Sequence, residues 1–139
     1  MERLGKVSEL VQQSIGNSIK RILICDDIAD NCFLLEAILQ AEDYKIEIVN
    51  SGAEVLNKIE TDPEVPDLLL VDVLMPQIDG YEVVRRIRQS KKFEFISILL
   101  VTSFDKDDAK LADDIKIDGF IQKPFDLDAV IAQVRTILD

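Results

Sequence analysis

The sequence predicts an α/β fold: one doubly wound parallel sheet of five strands with helices on both faces. Three observations predict it. Strand-like and helix-like patterns alternate five times between Arg21 and Leu138. Runs such as Ile22-Leu23-Ile24-Cys25 and Leu68-Leu69-Leu70-Val71 are continuously apolar, as strands covered on both faces are. These two runs stop at carboxylates, Asp26-Asp27 and Asp72, and a third, Gly119-Phe120-Ile121-Gln122, stops at Lys123-Pro124.

The expected strands are residues 21–25, 45–49, 68–71, 98–102 and 119–122. In the first helix Phe33, Leu34, Ala37, Ile38 and Ala41 recur at helical spacing. Val55, Leu56 and Ile59 do so in the second, with Ser51 placed to cap it. Asp62-Pro63-Glu64-Val65-Pro66-Asp67 is a stiff connector into the third strand, and Asp79-Gly80 marks a turn before the third helix. That helix buries Val83, Val84 and Ile87 and turns Arg85, Arg86 and Arg88 to solvent. The last helix, capped near Asp126, carries Val130, Ile131, Val134, Ile137 and Leu138 as its stripe. Strand–helix–strand units with right-handed crossovers give the flavodoxin-like order 2-1-3-4-5, flanked by five helices.

Residues 20–139 form this domain, and residues 1–19 stand outside it. In the extension Leu4, Val7, Leu10, Val11 and Ile15 share one helical face, and Gly16-Asn17 suits its end. A docking or dimerising helix and a simple leader both fit that pattern.

Composition narrows the function. The chain has 139 residues, 47% hydrophobic and 31% charged, with a net charge of −11 that opposes general nucleic-acid binding. No apolar run reaches the length of a membrane span, and Met1-Glu2-Arg3 opens no secretory signal. Cys25 and Cys32 with no histidine argue for reduced thiols in a cytoplasmic protein rather than zinc. The absence of histidine also excludes Ser-His and Cys-His hydrolases.

Open α/β sheets bind ligands where the carboxyl ends of their strands meet. At that edge Asp26, Asp27 and Asp72 would crowd together beside Lys123. Left alone, three such acids repel one another and some pKa values rise. A hard divalent cation reverses that logic, and Mg²⁺ accepts carboxylate oxygens while bridging readily to phosphate. Helix capping would explain any one of these acids. It explains three of them on neighbouring strand ends poorly.

With these residues assembled, the chain resembles a receiver domain of the two-component response regulator family over about residues 20–138. Asp26-Asp27 resemble its acidic pair, and Asp72 in Val71-Asp72-Val73-Leu74-Met75-Pro76 resembles its phosphoacceptor. Gly80 resembles the turn glycine, Thr102 the switch hydroxyl, Lys123-Pro124-Phe125 the lysine-proline pair, and Phe120 the aromatic switch. The resemblance implies that Asp72 takes a phosphoryl group from a histidine kinase or a histidine phosphotransfer protein. Asp27, Asp72 and the Leu74 backbone carbonyl would hold Mg²⁺, with Asp26 acting mainly through water. Lys123 would pair with one phosphoryl oxygen, and the Thr102 hydroxyl would donate to another. Thr102 and Phe120 would then reset a surface around the fourth strand, fourth helix and fifth strand that binds a downstream protein target. The resemblance also implies a cis Lys123-Pro124 bond, and a module that catalyses only its own phosphorylation and dephosphorylation.

Two departures from the family pattern carry expectations of their own. Leu74 and Phe104, two residues beyond Asp72 and Thr102, are bulky and apolar where a hydrolytic water must pass, and predict a long-lived phosphoryl state. The stretch 105–118 is about one residue short, with Lys116-Ile117 where Gly-Ala is common, and predicts a short or frayed fourth helix, which counts against the family's usual homodimer face. A haloacid dehalogenase-like phosphatase would need an acid at Leu74, and a flavodoxin would not place Asp26-Asp27 against phosphate. A degenerate receiver acting only by binding is the remaining alternative. If the chain is whole at Leu138-Asp139, action through protein contact is expected. A stand-alone regulator, a phosphate shuttle and part of a hybrid kinase all stay open.

Overall fold

A computed structural model of the chain describes residues 19–103 and 114–139. The strands are β1 (Arg21–Cys25), β2 (Lys45–Val49), β3 (Leu68–Asp72), β4 (Ser97–Thr102) and β5 (Gly119–Gln122). All pair in parallel in the order β2-β1-β3-β4-β5, so the expected topology is the one observed. Around them lie α1 (Ala29–Leu39), α2 (Gly52–Thr61), α3 (Gly80–Arg88) and α4 (Leu127–Leu138), with a 3-10 turn at Lys91–Phe93. The helix expected within residues 105–118 falls largely outside the described residues, and so does the amphipathic stretch 4–15. Among the described residues, no helix is long and apolar enough to cross a membrane.

Strand periodicity sorts the core into two layers. Leu23, Cys25, Leu69, Val71, Ile98 and Leu100 pack on one face against Val55 and Ile59 of α2 and Val83, Val84 and Ile87 of α3. Ile22, Ile24, Leu68, Leu70, Leu99 and Val101 pack on the other against α1 and α4. The central strand β3 is buried from end to end, which is why it reads as an unbroken apolar run. Cys25 and Cys32 belong to opposite layers and are both free, in keeping with the expected thiols.

Three local expectations are corrected. In α1 the buried face is Cys32, Leu35, Ile38 and Leu39, while Phe33 and Leu34 are 62% and 47% exposed. The helix is apolar on two adjoining stripes, so spacing alone does not choose which one meets the sheet. Arg88 does not face solvent. Its side chain is only 13% exposed and donates to the carbonyls of Lys116, Phe93 and Glu94 at 2.9, 3.2 and 3.4 Å. Asp126 begins α4, but its side chain makes no capping hydrogen bond.

Candidate functional site

Parallel pairing brings the carboxyl ends of β1, β3, β4 and β5 to one rim, and every residue singled out for the site except Phe120 stands at or just beyond it. Asp26 follows β1 directly and Asp72 ends β3. One carboxylate oxygen each from Asp26, Asp27 and Asp72 can be chosen so that all three lie within 4.8 Å of one another. Asp26 and Asp72 are buried and Asp27 is exposed. Lys123 reaches in from beyond β5, its Nζ 3.3 Å from Asp26 Oδ2 and 3.4 Å from Asp72 Oδ1. The Lys123-Pro124 bond is cis, as the resemblance implies. Thr102, buried at the end of β4, accepts the Lys123 backbone N–H through its carbonyl at 2.8 Å.

Among the described residues, electrostatics at this rim are unbalanced, with the carboxylates of Asp26, Asp27 and Asp72 facing the Lys123 ammonium. Burial first, and Asp26 second, push Asp72 up from 3.8 to about 6. Lys123 and the Leu74 backbone pull the other way without cancelling that rise. Asp26 is already engaged on both oxygens: Oδ1 accepts the Ile28 N–H at 2.9 Å, and Oδ2 faces Lys123. It therefore caps the approach to α1 and takes part in the acidic cluster together.

The loop after β3 is shaped around these acids. Asp79 caps α3 by accepting the Glu82 N–H at 2.9 Å. Gly80 lies so near the strand end that a Cβ there would stand 2.4 Å from the Asp72 carbonyl oxygen. The sequence shows Gly80 as a turn residue; that it must also be bare to admit the Asp72 backbone is visible only in three dimensions. Leu74 is 74% exposed at the rim, while Phe104 lies outside the described residues. Phe120 is partly buried against the α2–α3 layer, and its carbonyl accepts from Gln133 Nε2 at 2.8 Å. The register pairs Phe120 with Leu100 and Gln122 with Thr102, which puts Phe120 diagonal to Thr102 on one sheet face.

One contact was not anticipated from sequence. Asn50, just past β2, donates from Nδ2 to the Asp26 carbonyl at 3.3 Å. No motif or spacing marks it, because the bond joins loops 24 residues apart.

A five-stranded parallel sheet with an acidic rim and a facing lysine defines the receiver class, and the comparisons agree. Residues 22–135 match the response regulator receiver domain family, and the chain belongs to it. It is a receiver domain of the kind used in two-component systems. It is 37% identical over 120 residues to the alkaline phosphatase synthesis transcriptional regulatory protein PhoP of Bacillus subtilis, covering 86% of this chain and 48% of that protein. With the response regulator PleD of Caulobacter vibrioides it shares 35% identity over 118 residues, covering 84% of this chain and 26% of the relative. The chain thus spans about half or less of the length of these curated relatives. Among solved structures, the receiver domain of a signal transduction histidine kinase from Syntrophus aciditrophicus superposes with a TM-score of 0.78 at 30% identity, over 86% of this chain and 89% of that one. The Vibrio cholerae chemotaxis protein CheY4 shares the fold with a TM-score of 0.78 at 23% identity, over 86% of this chain and 98% of its own.

Proposed function

We propose that this receiver accepts a phosphoryl group on Asp72, in a Mg²⁺-dependent reaction, from a histidine kinase or a histidine phosphotransfer protein. The observation that carries the proposal is the meeting of the Asp26, Asp27 and Asp72 oxygens within 4.8 Å beside the Lys123 ammonium. The donor set fits magnesium: hard carboxylate oxygens, an excess of negative charge and an exposed member, Asp27, open to solvent. Asp27, Asp72 and the Leu74 carbonyl would hold the ion, and Asp26, occupied on both oxygens, would act at one remove. When bound, the ion would offset the repulsion between these acids and the oxygens of the incoming phosphoryl group.

The chain's own residues do the rest. A carboxylate oxygen of Asp72 forms the new O–P bond as the donor's P–N bond breaks on the opposite side. Lys123, already 3.4 Å from Asp72, pairs with a phosphoryl oxygen, and the Thr102 hydroxyl donates to another. Movement of Thr102 toward the phosphoryl group would open space beside Phe120 and bias the surface of β4 and β5 toward a downstream protein target. The module therefore transforms only itself, by phosphorylation and later hydrolysis.

Incubation with acetyl phosphate and Mg²⁺, followed by peptide mass spectrometry, tests the reading. A phosphoryl mass gain is expected on the peptide containing Asp72, absent in Asp72→Asn and in the presence of chelator. Wild-type protein that gains no mass would instead be a receiver that works by binding alone.

A further inference from the structure

We infer that Asn50 is a positioning residue for the acidic rim: it holds the peptide joining Asp26 to Asp27 and so sets where Asp27 stands. This rests on the Mg²⁺ site proposed above. The Asp26 carbonyl belongs to the peptide that leads into Asp27, so rotating that peptide swings the exposed carboxylate relative to Asp72. Two donors pin this carbonyl. Asn50 Nδ2 reaches it from the end of β2 at 3.3 Å, and Cys32 Sγ reaches it from α1 at 3.5 Å. The amide is the stronger donor, since a thiol hydrogen bond is weak.

Asn50 is itself anchored. Its backbone N–H donates to Glu54 Oε2 at 2.8 Å, and the Glu54 N–H is held by Ser51 Oγ at 3.1 Å. The cap of α2 is thereby connected to the acidic rim through Asn50. In the preceding peptide, the Asp26 N–H donates to the Val49 carbonyl at 3.4 Å. Asp26 is thus held by its side chain and on both backbone groups. Among the described residues, Asp27 is secured through this shared peptide. An outer partner that orients a ligand in this way typically changes metal affinity when removed.

The test measures Mg²⁺ binding directly by isothermal titration calorimetry, alongside backbone NMR of the metal-free proteins. Asn50→Ala is expected to weaken Mg²⁺ binding about three- to tenfold and to shift the Asp27 amide resonance without metal. Asn50→Gln, which keeps the donor, is expected to stay within about twofold of wild type. Thermal unfolding of the metal-free variants separates positioning from folding, because Asn50 is exposed and its loss should leave the melting temperature near that of wild type. Wild-type Mg²⁺ affinity in Asn50→Ala overturns the inference, as does equal weakening in both variants with a matching loss of thermal stability. Failure of the parent reading looks different: wild type that binds Mg²⁺ yet takes no phosphoryl group refutes the transfer reaction and leaves the role of Asn50 standing.

Discussion

Asp72 is held in a poor place for a charge. Its pKa rises from 3.8 to about 6, so the folded metal-free chain binds this proton more tightly than the unfolded chain does. The group's stabilising contribution is full below the unfolded value, declines between about 4 and 6, and is lost above the folded value. Asp72→Asn removes the titration, and should stabilise the metal-free protein at pH 7–8 by on the order of 1–3 kcal/mol, with no gain at pH 3. Urea unfolding of both proteins across that range checks the sign. Leu74 carries a separate expectation. If its exposed side chain keeps water from the phosphoryl group, Leu74→Asn should shorten the phosphorylated lifetime, measured as loss of label. An unchanged half-life would count against that role.

At the scale of elements, the loop from β3 to α3 packs tightly against the end of β3. A methyl at position 80 has no room, since the atoms it would meet are the backbone of Asp72 and Val73. Gly80→Ala should cost about 1–3 kcal/mol in thermal or urea unfolding and lower phosphoryl labelling, because relief requires moving the Asp72 carbonyl. Gln77, with φ 68°, spans the tightest bend of the same loop. A β-branched residue tolerates that conformation worst, so Gln77→Val should destabilise by about 1–2 kcal/mol while Gln77→Gly is neutral or stabilising. Wild-type stability in Gln77→Val would show that the bend relaxes freely. The α1 helix illustrates the limit of reading elements from sequence. Its existence follows from composition, but Phe33 and Leu34 face out because the sheet offers sites to Cys32, Leu35, Ile38 and Leu39.

Across the whole molecule, folding and the site are coupled. The sheet stacks four strand ends at one rim, and the like charges gathered there oppose the folded state until something neutralises them. Mg²⁺ should therefore raise stability by about 2.7 kcal/mol at a hundred times its dissociation constant. Thermal unfolding with and without Mg²⁺ measures this. Asp27→Asn should reduce the gain, whereas an equal gain in that variant would place the ion elsewhere.

Thr102 was singled out through the family resemblance, but local pattern sufficed for the order of the strands and described helices, the sheet order and the charged rim residues Asp26, Asp27, Asp72 and Lys123. Those properties follow from apolar runs, their periods and the charges that end them, all of which are local. Three-dimensional packing was needed to show which stripe of α1 is buried, why Arg88 turns inward, how bare residue 80 must be, and that Asn50 reaches Asp26. Each of these depends on atoms brought together from distant parts of the chain, and packing, rather than period, chooses among the arrangements a local pattern allows.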